Sequence, residues 1–448
     1  MAALFATDGV RGIANTAPMT AQMALQIGAA VGCYFRCGPG AGHRVVIGKD
    51  TRQSGDMFES ALTAGLTSTG MNVLLLGPVP TPAVGLITRS LRADLGVMIS
   101  ASDTPAIDNG LKFFGPDGFS LSDAAQGDIE ALIQSGVTLA QPSNIGRARR
   151  VEDARFRYGE RVKASLAQDF RLTGLKVVVD CAHGAAYRTA PELLWELGAD
   201  VIRVGTAPDG TNINQGCGST APDVAAAAVV AQGADIGICL DGDANRVIVV
   251  DETGAIADGD QLMALLATRW AETGQLNAGT LVATEMSNLG LERHLQQSGL
   301  RLERTDVGDR SVVTRMRAGG FNLGGAPSGH IVMSDYAATG DGVMAGLHVL
   351  AEMVRTGRRA SDLVRRFEPV PQLLRTLRYS GAVSVLNAPP VQAAIAQAKA
   401  QMAGKGRLLV RKSGTEPLLS VMAECDDDAL MHETVEQITL AVQAVSQT

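Results

Sequence analysis

Residues 176–184, KVVVDCAHG, set the reading of the whole chain: a β-branched run ends on an acid, breaks into a polar turn with a glycine, and feeds an amphipathic segment. Short runs of this kind, each closed by a Gly/Asp/Ser-rich turn and followed by a helical stretch, are the signature of an α/β protein. VVIGKD at 45–50 and TLVATEMSN at 280–288 begin in the same way, which suggests a structural repeat, although the identity between the three stretches is weak. The strands read from this pattern are Arg44–Gly48, Gly96–Ser100, Leu175–Asp180, Ile236–Leu240 and Thr280–Thr284. In open α/β sheets ligands gather beyond strand carboxyl ends, so the turns GKDTRQSG, ASDTPAIDNG, CAHGAA, DGDANR and EMSNLG are where chemistry is expected.

A chain of 448 residues divided by about 150 per domain suggests three units. Breaks near Gln141–Asp153, Asp251–Gly259 and Phe367–Gln372 instead divide it into four, at 1–150, 151–255, 256–368 and 369–448. The last would hold strands Leu374–Tyr379, Arg407–Arg411 and Leu418–Glu424, with helices after Pro389 and after Asp428.

Composition narrows the function. Hydrophobic residues make up 46% and charged ones 19%, which excludes a disordered chain. Aromatics at 4% and a net charge of -7 argue against a nucleic-acid partner, so any anion site must be a local concentration of positive charge. Asp8 and Arg11 interrupt the place where a signal peptide needs an apolar core. The uncharged run Ser60–Thr88 is broken by Gly65, Gly70, Gly77, Pro78, Pro80 and Pro82, and so is read as protein interior, with no membrane partner. Six cysteines, at 33, 37, 181, 217, 239 and 425, are too sparse for a disulfide scaffold and fit a reducing, cytoplasmic setting.

Four turns could carry chemistry. Ser100 and Ser102 end an apolar strand, and each is either a nucleophile or a capping residue. Asp241, Asp243 and Asn245 alternate around Gly242, with Arg246 beside them; three oxygen side chains in one phase can converge on a hard cation such as Mg²⁺, or the turn simply caps a strand. RKSGTEP groups Arg411, Ser413, Gly414 and Thr415 as a phosphate cradle or as a solvated basic turn. GGAPSGHI brings Ser328 and His330 onto a glycine-rich turn that could orient a polar small molecule, although a lone histidine is as readily structural, as is His183.

The order of these motifs is more specific than any one of them. FATDGVRG, GKDTRQSG, SASDTP with DNGLKFF, PDGTNINQGCGST, DGDANR, GAPSGH and RKSGTEP, spread from Phe5 to Glu424, resemble the α-D-phosphohexomutase superfamily. PDGTNINQGCGST, MSNLGLE and VGDR place the resemblance in its glucosamine branch. It implies three related α/β domains with mixed sheets plus a smaller C-terminal α+β domain around a central cleft. The activity it implies is interconversion of glucosamine 6-phosphate and glucosamine 1-phosphate through a phosphoserine and a bisphosphorylated sugar. Activation would need that sugar bisphosphate or an equivalent phosphorylation of Ser102. Residue by residue, Ser102 would carry the phosphoryl group, with Mg²⁺ held by Ser102, Asp241, Asp243 and Asn245. Arg11, Lys112 and Arg246 would flank the phosphate, and Lys112 would exchange a proton with the sugar. Ser328 and His330 would meet the sugar, and Arg411, Ser413, Gly414 and Thr415 the non-reacting phosphate. Relatives of this kind suggest a homodimer.

Several positions depart from the family pattern. Asp103-Thr104-Pro105 stands where the family has His-Asn-Pro, so an anion adjoins the phosphorylated serine, where a carboxylate repels a phosphate yet can serve as a base. Asn245 replaces the third metal aspartate, Ala326-Pro327 replaces a Glu-Gln pair, Ser420 an arginine, and Ala6 a glycine. These changes keep open a divergent paralogue acting on another phosphosugar, and a weakly catalytic binding or regulatory protein.

Overall fold

The first sheet of the computed structural model shows how the β-branched runs are used. Its strands are β1 (Val10–Ile13), β2 (Arg44–Lys49), β3 (Asn72–Pro78), β4 (Leu95–Ile99), β5 (Asp108–Phe114) and β6 (Ala148–Arg150), in the order β1-β5-β4-β2-β3-β6. The structure describes residues 4–5, 9–36, 42–379, 385–412 and 418–446. β2 runs parallel to β3 on one side and to β4 on the other, and β4 turns back into antiparallel β5. Because β2 and β4 are covered on both faces, almost every residue in them is apolar and buried, which is why they read as continuous hydrophobic runs. Helices Ala21–Phe35 and Ser54–Ser68 pack closely: a Cβ on Gly28 would lie 2.8 Å from the Leu62 carbonyl oxygen, and one on Gly65 would lie 2.2 Å from that of Leu25. Only glycine fits at that crossing.

The second sheet comprises β7 (Lys176–Asp180), β8 (Asp200–Val204), β9 (Ile236–Leu240), β10 (Val247–Asp251) and β11 (Ile256–Ala257), ordered β11-β10-β9-β7-β8. The third comprises β12 (Thr280–Thr284), β13 (Arg301–Thr305), β14 (Leu323–Gly325) and β15 (Ile331–Met333), ordered β13-β12-β14-β15. Each repeats the plan of the first. A leading strand lies between two parallel partners, and the later partner doubles back into an antiparallel strand. The weak repeat seen in the sequence is therefore a repeat of topology. Its consequence is positional: the turns carrying Ser102, Asp241 and Ser328 join β4 to β5, β9 to β10 and β14 to β15, the same point of each sheet.

The run Ser60–Thr88 forms helix, strand and helix, and among the described residues no helix is long and apolar enough to cross a membrane. By contacts the chain forms two compact units, residues 1–286 with 300–366, and residues 287–299 with 367–448. The second unit has a smaller, wholly antiparallel sheet of β16 (Gln372–Arg378), β17 (Gly406–Lys412) and β18 (Leu418–Cys425), ordered β16-β18-β17. Helices Pro389–Met402 and Asp428–Ser446 bury Val391, Ile395, Val435 and Ile438 in one core with Leu419 and Val421 of that sheet.

Candidate active site

Ser102 follows β4 in a turn that the rest of the first unit holds rigidly. Its backbone sits in the left-handed region, φ 57°, which a side chain seldom adopts. The Ser102 carbonyl oxygen accepts from Arg52 Nη2 at 3.1 Å and from Asn214 Nδ2 at 2.9 Å, and the Thr104 carbonyl accepts from the same two nitrogens at 2.8 and 2.9 Å. Arg52, buried, is itself held by Asp50 at 2.8 Å, and Asp50 also accepts from Ser100 Oγ at 2.6 Å. Ser100 Oγ in turn accepts the Ser102 N–H at 2.9 Å. Ser100 therefore shapes the turn, and the hydroxyl left for other work is that of Ser102.

That hydroxyl is buried and meets the second sheet. Ser102 Oγ lies 2.9 Å from Asp241 Oδ2 and 2.9 Å from Asp243 Oδ1. A hydroxyl has one proton, so it donates to one carboxylate at a time. Gly242 makes the approach possible, since a Cβ there would lie 2.6 Å from the Ser102 carbonyl oxygen. The other carboxylate oxygens are satisfied. Asp241 Oδ1 accepts from the Arg246 N–H at 2.9 Å, while Asp243 Oδ2 accepts from Lys112 Nζ at 2.7 Å and Thr81 Oγ1 at 2.6 Å. Burial, and then the charge of Asp243, raise Asp241 above the usual carboxylate range. Burial also works to raise Asp243, but the charge and hydrogen bond of Lys112, with Thr81, hold it below that range.

Asn245 is buried, and among the described residues its Oδ1 has no hydrogen-bond partner, while its Nδ2 reaches Asp309 Oδ2 at 3.4 Å. Among the described residues no three His, Cys, Asp or Glu side chains gather as a metal cluster. The oxygen set here is two carboxylates, an orphaned amide oxygen and a hydroxyl, which fits a hard divalent ion. Asp103 reaches Arg246, its Oδ2 2.5 Å from Nη1, so the anion after Ser102 is paired. Arg11 lies on β1 in register with Gly110, whose carbonyl accepts from Ser100.

A cleft of about 310 Å³ adjoins this cluster, lined by Thr81, Lys112, Asn245, Asp309, Arg310 and Phe119 among others. In the equivalent turn of the third sheet, Ser328 is exposed and Ala326 is buried, with the Ala326 N–H donating to the His330 carbonyl at 2.9 Å. His330 is fully buried: Nε2 accepts from the Gly340 N–H at 3.1 Å and lies 3.4 Å from Asp309. In the second unit, Arg411 on β17 pairs in register with Ser420 on β18, so that departure stands directly across from Arg411. Ser413, Gly414 and Thr415 lie outside the described residues, as does Ala6.

Some contributors carried no role in the sequence reading. Arg52 and Asn214 lie within GKDTRQSG and PDGTNINQGCGST and were legible as motif members only, and Asp309 lies within VGDR. Thr81, at the start of helix Thr81–Ser90, gave no signal beyond Pro80 before it.

The chain matches four family models in order: phosphoglucomutase/phosphomannomutase alpha/beta/alpha domain I over residues 2–139, domain II over 157–254, domain III over 258–370, and the C-terminal domain over 357–441. It is 69% identical over 447 residues to a protein of Ruegeria sp. (strain TM1040) named phosphoglucosamine mutase, covering 100% of both chains. A protein of the same name from Dinoroseobacter shibae is 64% identical, with 98% and 99% covered. Among solved structures, a phosphoglucomutase/phosphomannomutase family protein of Burkholderia thailandensis aligns with a TM-score of 0.82 at 24% identity, over 99% of this chain and 97% of the other. N-acetylphosphoglucosamine mutase of Aspergillus fumigatus, solved with GlcNAc-6P and magnesium, aligns with a TM-score of 0.63 at 18% identity, over 86% and 94%.

Proposed function

The chain belongs to the phosphoglucomutase/phosphomannomutase family, and from that premise we infer that it is an isomerase interconverting glucosamine 6-phosphate and glucosamine 1-phosphate. One observation carries the chemistry: a single buried hydroxyl, Ser102 Oγ, between two carboxylates. Ser102 is the phosphoryl carrier in this reading. Asp241 or Asp243 takes the Oγ proton as the oxygen attacks phosphorus, and Lys112 exchanges a proton with the sugar hydroxyl at the other end of the transfer. Arg246 and Arg11 offset charge on the phosphoryl oxygens. Thr81 and Lys112 keep the Asp243 carboxylate in place throughout.

The residues that would hold Mg²⁺ are Asp241, Asp243, Asn245 and the phosphorylated Ser102. When bound, the ion supplies charge neutralisation on the oxygens in transfer. Ser328 and His330 are assigned to the sugar, and Arg411, Ser413, Gly414 and Thr415 to the non-reacting phosphate. A sugar bisphosphate primes Ser102. The four-domain division, a cytoplasmic setting and a homodimer belong to the same reading, the last checked by light scattering.

Intact-mass measurement after incubation with glucosamine 1,6-bisphosphate and MgCl₂ tests the carrier. One phosphate is expected on the native chain and none on Ser102→Ala, whose turnover, followed by phosphorus NMR, should fall by about 10⁴-fold or more. A native chain that never gains a phosphate overturns the reading.

A further inference from the structure

Asp103 and Arg246 come from equivalent turns of two different sheets, 143 residues apart, and meet at 2.5 Å. Asp103 directly follows Ser102, so any phosphate placed on Oγ lies one residue from this carboxylate. Both anions then draw on one guanidinium. Lys112, a second cation at this cluster, is already engaged, its Nζ bonded to Asp243 at 2.7 Å. Arg246 is tied within its own turn by its N–H on Asp241, and among the described residues its buried Nε has no hydrogen-bond partner. The guanidinium thus has a donor in reserve, but its charge is shared with Asp103.

We propose that Asp103 is a positioning residue that acts through Arg246 to keep the phosphate of Ser102 a strong donor. It holds the guanidinium by Nη1 and offsets part of its charge, so the phosphorylated serine is less stabilised than a lone arginine would leave it. In the transfer, the bond between phosphorus and Ser102 Oγ breaks, a bond from phosphorus to the sugar hydroxyl oxygen forms, and the hydroxyl proton ends on Oγ. Less stabilisation of the phosphorylated enzyme moves that equilibrium toward the bisphosphorylated sugar. The inference rests on the mutase reading above.

The test is the equilibrium between phosphorylated and free enzyme at fixed ratios of glucosamine 1,6-bisphosphate to glucosamine 6-phosphate, with occupancy read by intact mass. Asp103→Asn keeps the shape and removes the charge, and Asp103→Ala removes both. Each should move the equilibrium constant toward phosphorylated enzyme by about tenfold, the effect one nearby charge commonly exerts. A residue that merely braces the turn would lower occupancy or leave it unchanged. A native chain phosphorylated on Ser102, with an unchanged or lowered constant in both variants, overturns this inference alone. A native chain that gains no phosphate, whatever the variants do, overturns the mutase reading and this inference with it.

Discussion

Asn245→Asp should lower stability, and should lower it less when a divalent ion is present. In the structure Asn245 Nδ2 donates to Asp309 Oδ2 across 3.4 Å. A carboxylate at 245 turns that contact into a repulsion. Two unit charges at 3.4 Å repel by about 5 kcal/mol at an effective dielectric constant near 20. The cost has a ceiling, because one group can take up a proton instead; at pH 7, roughly three units above an ordinary aspartate, that limit is about 4 kcal/mol. Arg246 alongside reduces it further, so the variant in EDTA should be about 2–4 kcal/mol less stable than the native chain. Excess MgCl₂ should reverse part of this, since a third carboxylate gives the ion a charged ligand in place of a neutral one. Tenfold tighter binding narrows the gap by about 1.4 kcal/mol. Urea unfolding of the phosphate-free proteins, with EDTA and then with MgCl₂, measures both numbers. Equal stability in EDTA would refute the contact with Asp309, and a gap that MgCl₂ leaves untouched would refute the assignment of Asn245 to the ion site.

Two further outcomes concern buried groups. Burial holds His348, whose Nε2 lies 3.0 Å from Ser165 Oγ, down to about 4, and raises Asp341, which accepts from Tyr158 at 2.7 Å, to about 6. The neutral histidine therefore contributes stability that is complete above pH 6.5 and lost as pH falls toward 4, whereas the protonated Asp341 contributes stability that is complete below its ordinary value near 4 and lost as pH rises through about 6. The two largely cancel in the native chain, so His348→Gln should change the stability difference from native by about 3 kcal/mol between pH 6.5 and 4; parallel urea profiles would contradict this. Thr81→Val removes the 2.6 Å bond to Asp243 while keeping the side-chain shape, and should cost about 1.5–3 kcal/mol, with Thr81→Ser recovering most of it in the same urea assay.

The legible part of the site was the part that sits on strand ends. Ser102, Asp241, Asp243 and Lys112 occupy polar turns or strands whose apolar neighbours declare the fold, so position along the chain implied position in the sheet. The pairing of Asp103 was not legible. As a letter beside Ser102 it reads as a charge facing a phosphate, and only the meeting of the first and second sheets turns it toward Arg246. Thr81 was hidden for the opposite reason, because a threonine after proline at a helix start already has a local explanation. His330 reads as a polar group on a glycine-rich turn, yet it is enclosed, since the turn folds back against residues 340 and 309. The topological repeat was only hinted at, because strand order depends on buried volume and handedness, which many sequences satisfy.

The left-handed backbone at Ser102 bears on how such a protein decays. A residue at φ 57° is one where glycine would relieve strain, yet this is the side chain to which the proposed function gives the phosphoryl group. Stability and activity therefore favour different residues at a single codon. In a lineage released from the need to turn over substrate, selection for folding alone would favour glycine at 102. On the proposed reading, serine at 102 is a residue that turnover requires and that folding alone would not choose.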